Sequence, residues 1–222
     1  MGGMVITGGF GALGSGLADA ALAQGWKVAL IDFAPVPDAR KAIGIGGVDL
    51  ADPEAATAAF ATARERLGGI DALVNVAGGF AWETVADGAL DTWDRLYRIN
   101  VRSCLVASRA ALPHLLEAGD GRIVNVGANA ATKAALGMGA YAASKSAVAR
   151  LTESLAEELK GKVTVNAVLP SIIDTPTNRA DMPDADHGAW VTPADLAAVI
   201  LFLASPAARA VTGALVPVTG KV

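Results

Sequence analysis

The chain reads as an α/β protein, a parallel sheet covered by helices on both faces, in a single domain over residues 1–222. Three observations predict this. Short β-branched runs alternate with longer alanine-rich segments along the whole length, the rhythm of strand–helix crossovers in a parallel sheet. Of the 222 residues, 53% are hydrophobic and 18% charged, which suits one sizeable core and excludes a disordered chain. No tandem repeat or low-complexity linker divides the sequence.

Taken in order, residues 4–7, 27–32, 70–76, 122–126 and 163–169 carry the apolar runs of buried strands. Residues 43–48 read as a weaker strand, and 214–218 close the sheet. Helical patterns lie between them, over 12–24, 53–67, 90–117, 139–160 and 193–204. The segment 171–190 breaks the rhythm; from Asp174 to Trp190 it holds four acidic residues, two prolines and one of the two histidines. Such an insertion after a strand's carboxyl end reads as a substrate lid.

Several function classes are set aside early. A net charge of −4 gives no footprint for nucleic acid. The longest apolar run, 196–204, is too short to span a bilayer. The first basic side chain is Lys27, so no signal peptide is expected. Cys104 is the sole cysteine, which forbids an internal disulfide and fits a reducing, cytoplasmic setting. His114 and His187 lack the spaced companions of a metal site, and the lid carboxylates have no ligand spacing, so no metal is expected.

The turn Gly8-Gly9-Phe10-Gly11-Ala12-Leu13-Gly14 follows the first strand and opens the first helix. Glycines there let the backbone approach a pyrophosphate, and the helix N-terminus adds N–H donors and a positive dipole. Asp32 ends the second strand, eighteen residues beyond Gly14. A carboxylate there accepts from the adenosine ribose hydroxyls and repels a 2′-phosphate, so NAD(H) is expected over NADP(H). Asp49 can meet the adenine edge or cap the helix that begins near Pro53.

Tyr141 and Lys145 stand four residues apart in a helical pattern, so both point from one face. A neighbouring ammonium lowers a phenol's pKa from its usual value of about 10. That would make Tyr141 a proton donor near neutral pH. Thirteen residues upstream, where a partner serine would be expected, stands Ala128, with Asn129 as the nearest polar side chain.

Together with Asn75-Val-Ala-Gly78 after the fourth strand, Asn100 in the long helix, and Pro170 followed by Thr175, these features resemble the short-chain dehydrogenase/reductase superfamily over nearly the whole chain. The resemblance implies a Rossmann fold and hydride transfer to or from nicotinamide. It implies that Tyr141 is the acid/base, that Lys145 binds the nicotinamide ribose, and that Asn100 holds a water in a proton relay. Asp49, Leu50, Ala77, Gly78, Gly79, Pro170, Ile173 and Thr175 would line the cofactor with the glycine turn, Ile173 and Thr175 anchoring the carboxamide. Members usually associate through the helices here at 90–117 and 139–160, so a homodimer or homotetramer is expected.

The family's catalytic serine aligns with Ala128. One branch, the dihydropteridine reductases, likewise lacks that serine, and it is similar to this chain around Val76-Ala-Gly-Gly-Phe80 and 174–186. The resemblance therefore implies transfer from NADH to a conjugated acceptor such as a quinonoid dihydropteridine. Phe80, Trp82 or Trp190 could stack on the ring beside Ala128, although each also suits core packing, and His187 is a further candidate substrate contact. Two other functions stay open: a carbonyl or 3-oxoacyl-thioester reductase of the same superfamily, and a dinucleotide-binding regulator whose catalysis has decayed.

Overall fold

The computed structural model describes residues 1–38 and 41–222. Strands β1 (Gly3–Thr7), β2 (Lys27–Ile31), β3 (Ile43–Ile45), β4 (Ala72–Asn75), β5 (Gly121–Val126), β6 (Val163–Pro170) and β7 (Leu215–Val218) form one sheet. Every pairing is parallel, in the order β3-β2-β1-β4-β5-β6-β7. Strand order therefore reverses between β1 and β4, and a crevice opens at their carboxyl ends, as it must in a doubly wound Rossmann sheet.

Alternation along β1 shows how the two faces are filled. Met4 and Ile6 join one core with Leu17 of α1 (Ala12–Ala23) and Leu196 and Ile200 of α7 (Pro193–Leu203). Val5 points the other way, into a core with Phe60 of α2 (Pro53–Leu67), Leu115 of α4 (Ser103–Ala118) and Leu155 of α5 (Gly139–Glu158). Successive strand residues face opposite sides, so a run apolar at every position needs helices on both.

Local chemistry sets the helix ends. Asp52 caps α2 by accepting from the Glu54 N–H at 2.9 Å, Pro53 follows it, and Gly68 ends the helix at φ +83°. The capping alternative raised for Asp49 thus falls to Asp52. Thr192 caps α7 in the same way.

Several boundaries shift from the sequence-based expectation. The third strand of the 43–48 run stops at Ile45, since Gly46 is crowded against the 34–36 loop and Gly47 takes φ +75°. The strand expected over 70–76 shortens to Ala72–Asn75, because the Val76 N–H turns to the Thr7 hydroxyl at 3.2 Å. The helix expected over 90–117 is α3 (Leu90–Leu96), a π-helical turn (Tyr97–Arg102) and α4. Such turns are rare and cluster at functional sites; this one contains Asn100. The lid carries α6 (Pro176–Asp181) and is tied at both ends: the Asp174 N–H donates to the Val191 carbonyl at 2.8 Å, and Arg179 forks onto the Asp174 carboxylate at 2.5 and 2.8 Å.

Candidate active site

A cavity of about 1660 Å³ lies over the carboxyl ends of the strands, where the order reverses. It collects every site residue selected from the sequence except Gly9, Asn100, His187 and Trp190.

The glycine turn builds one end. A Cβ on Gly14 would stand 2.3 Å from the Gly8 carbonyl oxygen, and one on Gly8, at φ +62°, would meet Ala77 at 2.8 Å. Gly9 is buried against Leu30 rather than facing the cavity: its Cβ would stand 2.6 Å from the Leu30 side chain. Gly9 therefore lets the turn pack onto β2. Gly11 is the N-cap of α1 and no side chain caps that terminus. The first-turn N–H groups thus face the cavity with no acidic side chain beside them. A pyrophosphate fits this cradle.

Asp32 accepts from the Phe10 N–H at 2.9 Å and from the Ala34 N–H at 3.0 Å, one bond to each oxygen. Its carboxylate ties the glycine turn to β2 and keeps further lone pairs for ribose hydroxyls. Asp49 also lines the cavity, where it pairs with Arg98 of the π-helical turn. The residues present therefore fit a nicotinamide dinucleotide.

At the other end, α5 places Tyr141 and Lys145 on the cavity wall. Lys145 is 6% exposed and donates to the Val126 carbonyl at 2.9 Å. Burial pulls its ammonium down to about 8, and burial pushes the Tyr141 phenol up to about 12. The expected lowering of the phenol by its neighbour is thus overturned in the protein alone. Desolvation outweighs the ammonium, whose hydrogen bond goes to the strand instead. Phe80 packs edge-on against the Tyr141 ring, centroids 4.9 Å apart at 80°.

Asn100 is 1% exposed; its Oδ1 accepts from the Gly79 N–H at 2.8 Å, and its Nδ2 donates to the Gly79 carbonyl at 3.0 Å and to Ser144 Oγ at 2.9 Å. Both amide N–H bonds are occupied, so this side chain braces the Gly79 loop, and only oxygen acceptors of Asn100 are left for a relay water. Thr175 caps α6 by accepting from the Asn178 N–H at 3.2 Å while still lining the cavity with Ile173 and Pro170.

On the substrate side, Ala128 presents a methyl group, 4% exposed, and Asn129 lines the wall beside it. Gly127 carries no side chain, and a Cβ there would stand 2.6 Å from Leu169. Phe80 and Trp82 are each 55% exposed at the mouth. Trp190 and His187 are corrected: Trp190 is buried and stacks on His187 at 4.4 Å, and the His187 Nε2 bonds the Met182 carbonyl at 2.9 Å. These rings hold the lid together from within rather than reaching a substrate. Sequence reasoning gave no role to Arg98, Lys133, Met138, Asn178 and Asp181, which also line the wall; Asn178 and Asp181 lie in the 174–186 stretch, while only the folding of the chain brings Arg98 and Met138 there. Among the described residues there is no cluster of three metal-ligating side chains, and no helix long and apolar enough to cross a membrane.

Comparison with known proteins agrees with this geometry. A 2-(S)-hydroxypropyl-CoM dehydrogenase of Xanthobacter autotrophicus is 34% identical, with 98% of this chain and 94% of that protein covered. The aldohexose dehydrogenase of Thermoplasma acidophilum superposes with a TM-score of 0.91 at 26% identity, over 99% of this chain and 93% of the other. A 3-ketoacyl-(acyl-carrier-protein) reductase from Brucella melitensis, complexed with NADH, gives 0.86 at 27% identity, over 100% and 98%. These are dehydrogenases and reductases at large, not dihydropteridine reductases in particular. The family model for short chain dehydrogenases matches residues 3–186, a span that includes both ends of the cavity and six of the seven strands, and the chain belongs to that family of oxidoreductases.

Proposed function

We propose that the chain is an NADH-dependent reductase of a conjugated acceptor, such as a quinonoid dihydropteridine, with Tyr141 as proton donor. The observation that carries this reading is Ala128. A methyl group stands on the wall where a hydroxyl would hold a simple carbonyl oxygen, next to a phenol kept protonated by burial. Removing one donor to a localised oxyanion typically costs on the order of 10²–10³ in rate. A ring that spreads incoming charge over several nitrogens and an oxygen depends less on such a donor. The bound cofactor supplies the hydride. This chain supplies the cradle, the Tyr141 proton and a wall where Ala128 adds only a methyl group, with exposed Phe80 and Trp82 also lining the cavity. Asp32 supports NADH over NADPH, since a 2′-phosphate would meet its carboxylate.

A second reading, reduction of a carbonyl or 3-oxoacyl thioester, is favoured by Asn129, which lines the cavity with Ala128 and carries an amide, a donor suited to a carbonyl oxygen. It is also the activity for which the Brucella relative is named. The buried lone thiol Cys104 suits a cytoplasmic setting, and exposed Tyr97 and Leu105 on the π-helical turn and α4 suit a helix-mediated homo-oligomer.

NADH oxidation with a quinonoid dihydropterin, an acetoacetyl thioester and a quinone separates the readings. Turnover of the dihydropterin or the quinone supports the first. Turnover of the thioester alone overturns it. Tight NADH binding with no turnover of any acceptor favours a decayed binder.

A further inference from the structure

We infer that Ser144 is a positioning residue that, through Asn100 and the backbone of Gly79, fixes where the Phe80 ring stands against Tyr141. Ser144 is 4% exposed and does not line the cavity, so it cannot stand in for the hydroxyl missing at Ala128. Its hydroxyl donates to the Tyr141 carbonyl at 2.7 Å and accepts from the Asn100 amide at 2.9 Å. That amide in turn grips Gly79 at both its N–H and its C=O. Two bonds to one residue fix its orientation as well as its place.

The residue after Gly79 is Phe80, whose ring returns to the Tyr141 ring. Tyr141 backbone, Ser144, Asn100, Gly79, Phe80 and Tyr141 ring therefore form a closed circuit. The glycines are required for it. A Cβ on Gly78 would stand 2.5 Å from Asn100 Oδ1, and one on Gly79 would stand 2.6 Å from Ile99 Cδ1. The circuit joins the helix that carries the proton donor to the loop that covers it. Phe80 contributes to excluding water from the phenol only while Gly79 is held. The serine hydroxyl is the one link between Asn100 and α5 in this circuit, and alanine cannot supply it.

The inference rests on the reading that Tyr141 delivers a proton, and its test is built to fail separately from that reading. Ser144→Ala is compared with Phe80→Leu and with the double variant. Hydrogen exchange at the Gly79 amide, measured by NMR on the protein without added acceptor, is expected to speed up at least fivefold in Ser144→Ala. Asn100→Leu, which keeps the size but removes both the Oδ1 acceptor of the Gly79 N–H and the two N–H donors, should do the same should Ser144→Ala fold poorly. Unchanged Gly79 exchange in the folded variant overturns the circuit whether or not any acceptor is reduced. With an acceptor that turns over, kcat is expected to fall at least fivefold in each single variant while the NADH Kd stays within twofold. The double variant should lose no more than the worse single, because both break one circuit. Losses that multiply in the double variant, or a parallel loss of NADH affinity, overturn the positioning role. Ser144→Thr, which restores the hydroxyl, is expected to recover most of kcat.

Discussion

Lys145 directs its ammonium to the carbonyl oxygen of Val126, 2.9 Å away, and not to Tyr141 on the same face of α5. The strand end, the lysine and the phenol are thereby locked in register. Burial disfavours the charged form of each group: Tyr141 is pushed up to about 12 and stays a phenol, while Lys145 is pulled down to about 8 and still carries its charge at pH 7. A phenol held protonated through neutral pH suits donation, the reductive direction. Tyr141→Phe and Lys145→Ala should each lower kcat at least about tenfold, a floor below the usual range of about 10²–10⁴-fold for a positioned acid. Steady-state kinetics with an active acceptor checks this, and unchanged rates in both would remove the pair from the mechanism.

Burying an ammonium has a thermodynamic consequence. The folded-state value of Lys145, about 8, lies below its ordinary 10.5. Folding is therefore penalised wherever the unfolded chain holds the proton and the native site resists it. The penalty is full below pH 8 and fades as the pH rises towards 10.5. Lys145→Met keeps the length of the side chain and removes the charge. It should raise Tm at pH 7 by several degrees, and the gain should shrink at pH 10. A scan at both pH values checks the sign; a lower Tm at pH 7 would mean that the Val126 hydrogen bond outweighs desolvation. Activity lost with stability gained is the usual exchange at such sites.

Asp32 has two tasks in one carboxylate. It holds the Phe10 and Ala34 N–H groups, and from the cavity wall it would meet the adenosine ribose of the proposed NADH. Asp32→Ala should narrow the NADH-over-NADPH preference at least tenfold in kcat/KM. It should weaken NADH itself as well, because the glycine turn loses its tether. Wild-type preference for NADPH would overturn this assignment.

Beneath the cavity runs a buried chain of hydrogen bonds: Asn75 Nδ2 donates to Asn125 Oδ1 at 2.9 Å, and Asn125 Nδ2 donates to Thr152 Oγ1 at 2.9 Å. Thr152 is fully buried. Thr152→Val keeps the shape but leaves an Asn125 donor unpaired, a cost of about 1–3 kcal/mol. Chemical denaturation should show that loss with an unchanged m-value. A neutral result would mean that the asparagine finds another partner.

Much of this was legible in the sequence, and the limits were physical. The strands, both helix layers and the glycine turn follow from patterns that act over a few residues, such as the β-branched runs and the turn before α1. The π-helical turn did not, since one extra residue in a helix barely alters the apolar spacing of 90–117. Asn100 was picked out, but its partners Gly79 and Ser144 lie 21 and 44 residues away, so its bracing role was hidden. For Trp190 the packing alternative holds, and His187 joins it, for a related reason. An aromatic ring on a lid has the same sequence signature whether it meets a ligand or, as here, its neighbour on the same lid. The pKa directions needed burial, which no spacing of Tyr and Lys reveals.

Ala128 is the position where one atom separates the two reductase readings. Ala128→Ser adds a hydroxyl on the wall shared with Tyr141 and Asn129. If the natural acceptor is a delocalised ring, that hydroxyl has no single oxygen to serve, and it narrows the site. Turnover of a quinonoid dihydropterin should then stay level or fall by up to about fivefold. A simple ketone or an acetoacetyl thioester should instead gain at least about tenfold, within the range ascribed to one oxyanion donor. Opposite movement of the two substrates in one variant is the outcome that an inert methyl on a decayed site cannot produce. Equal gains on both would mean that the acceptor of this enzyme carries a localised oxygen after all, and that Asn129 has been serving it.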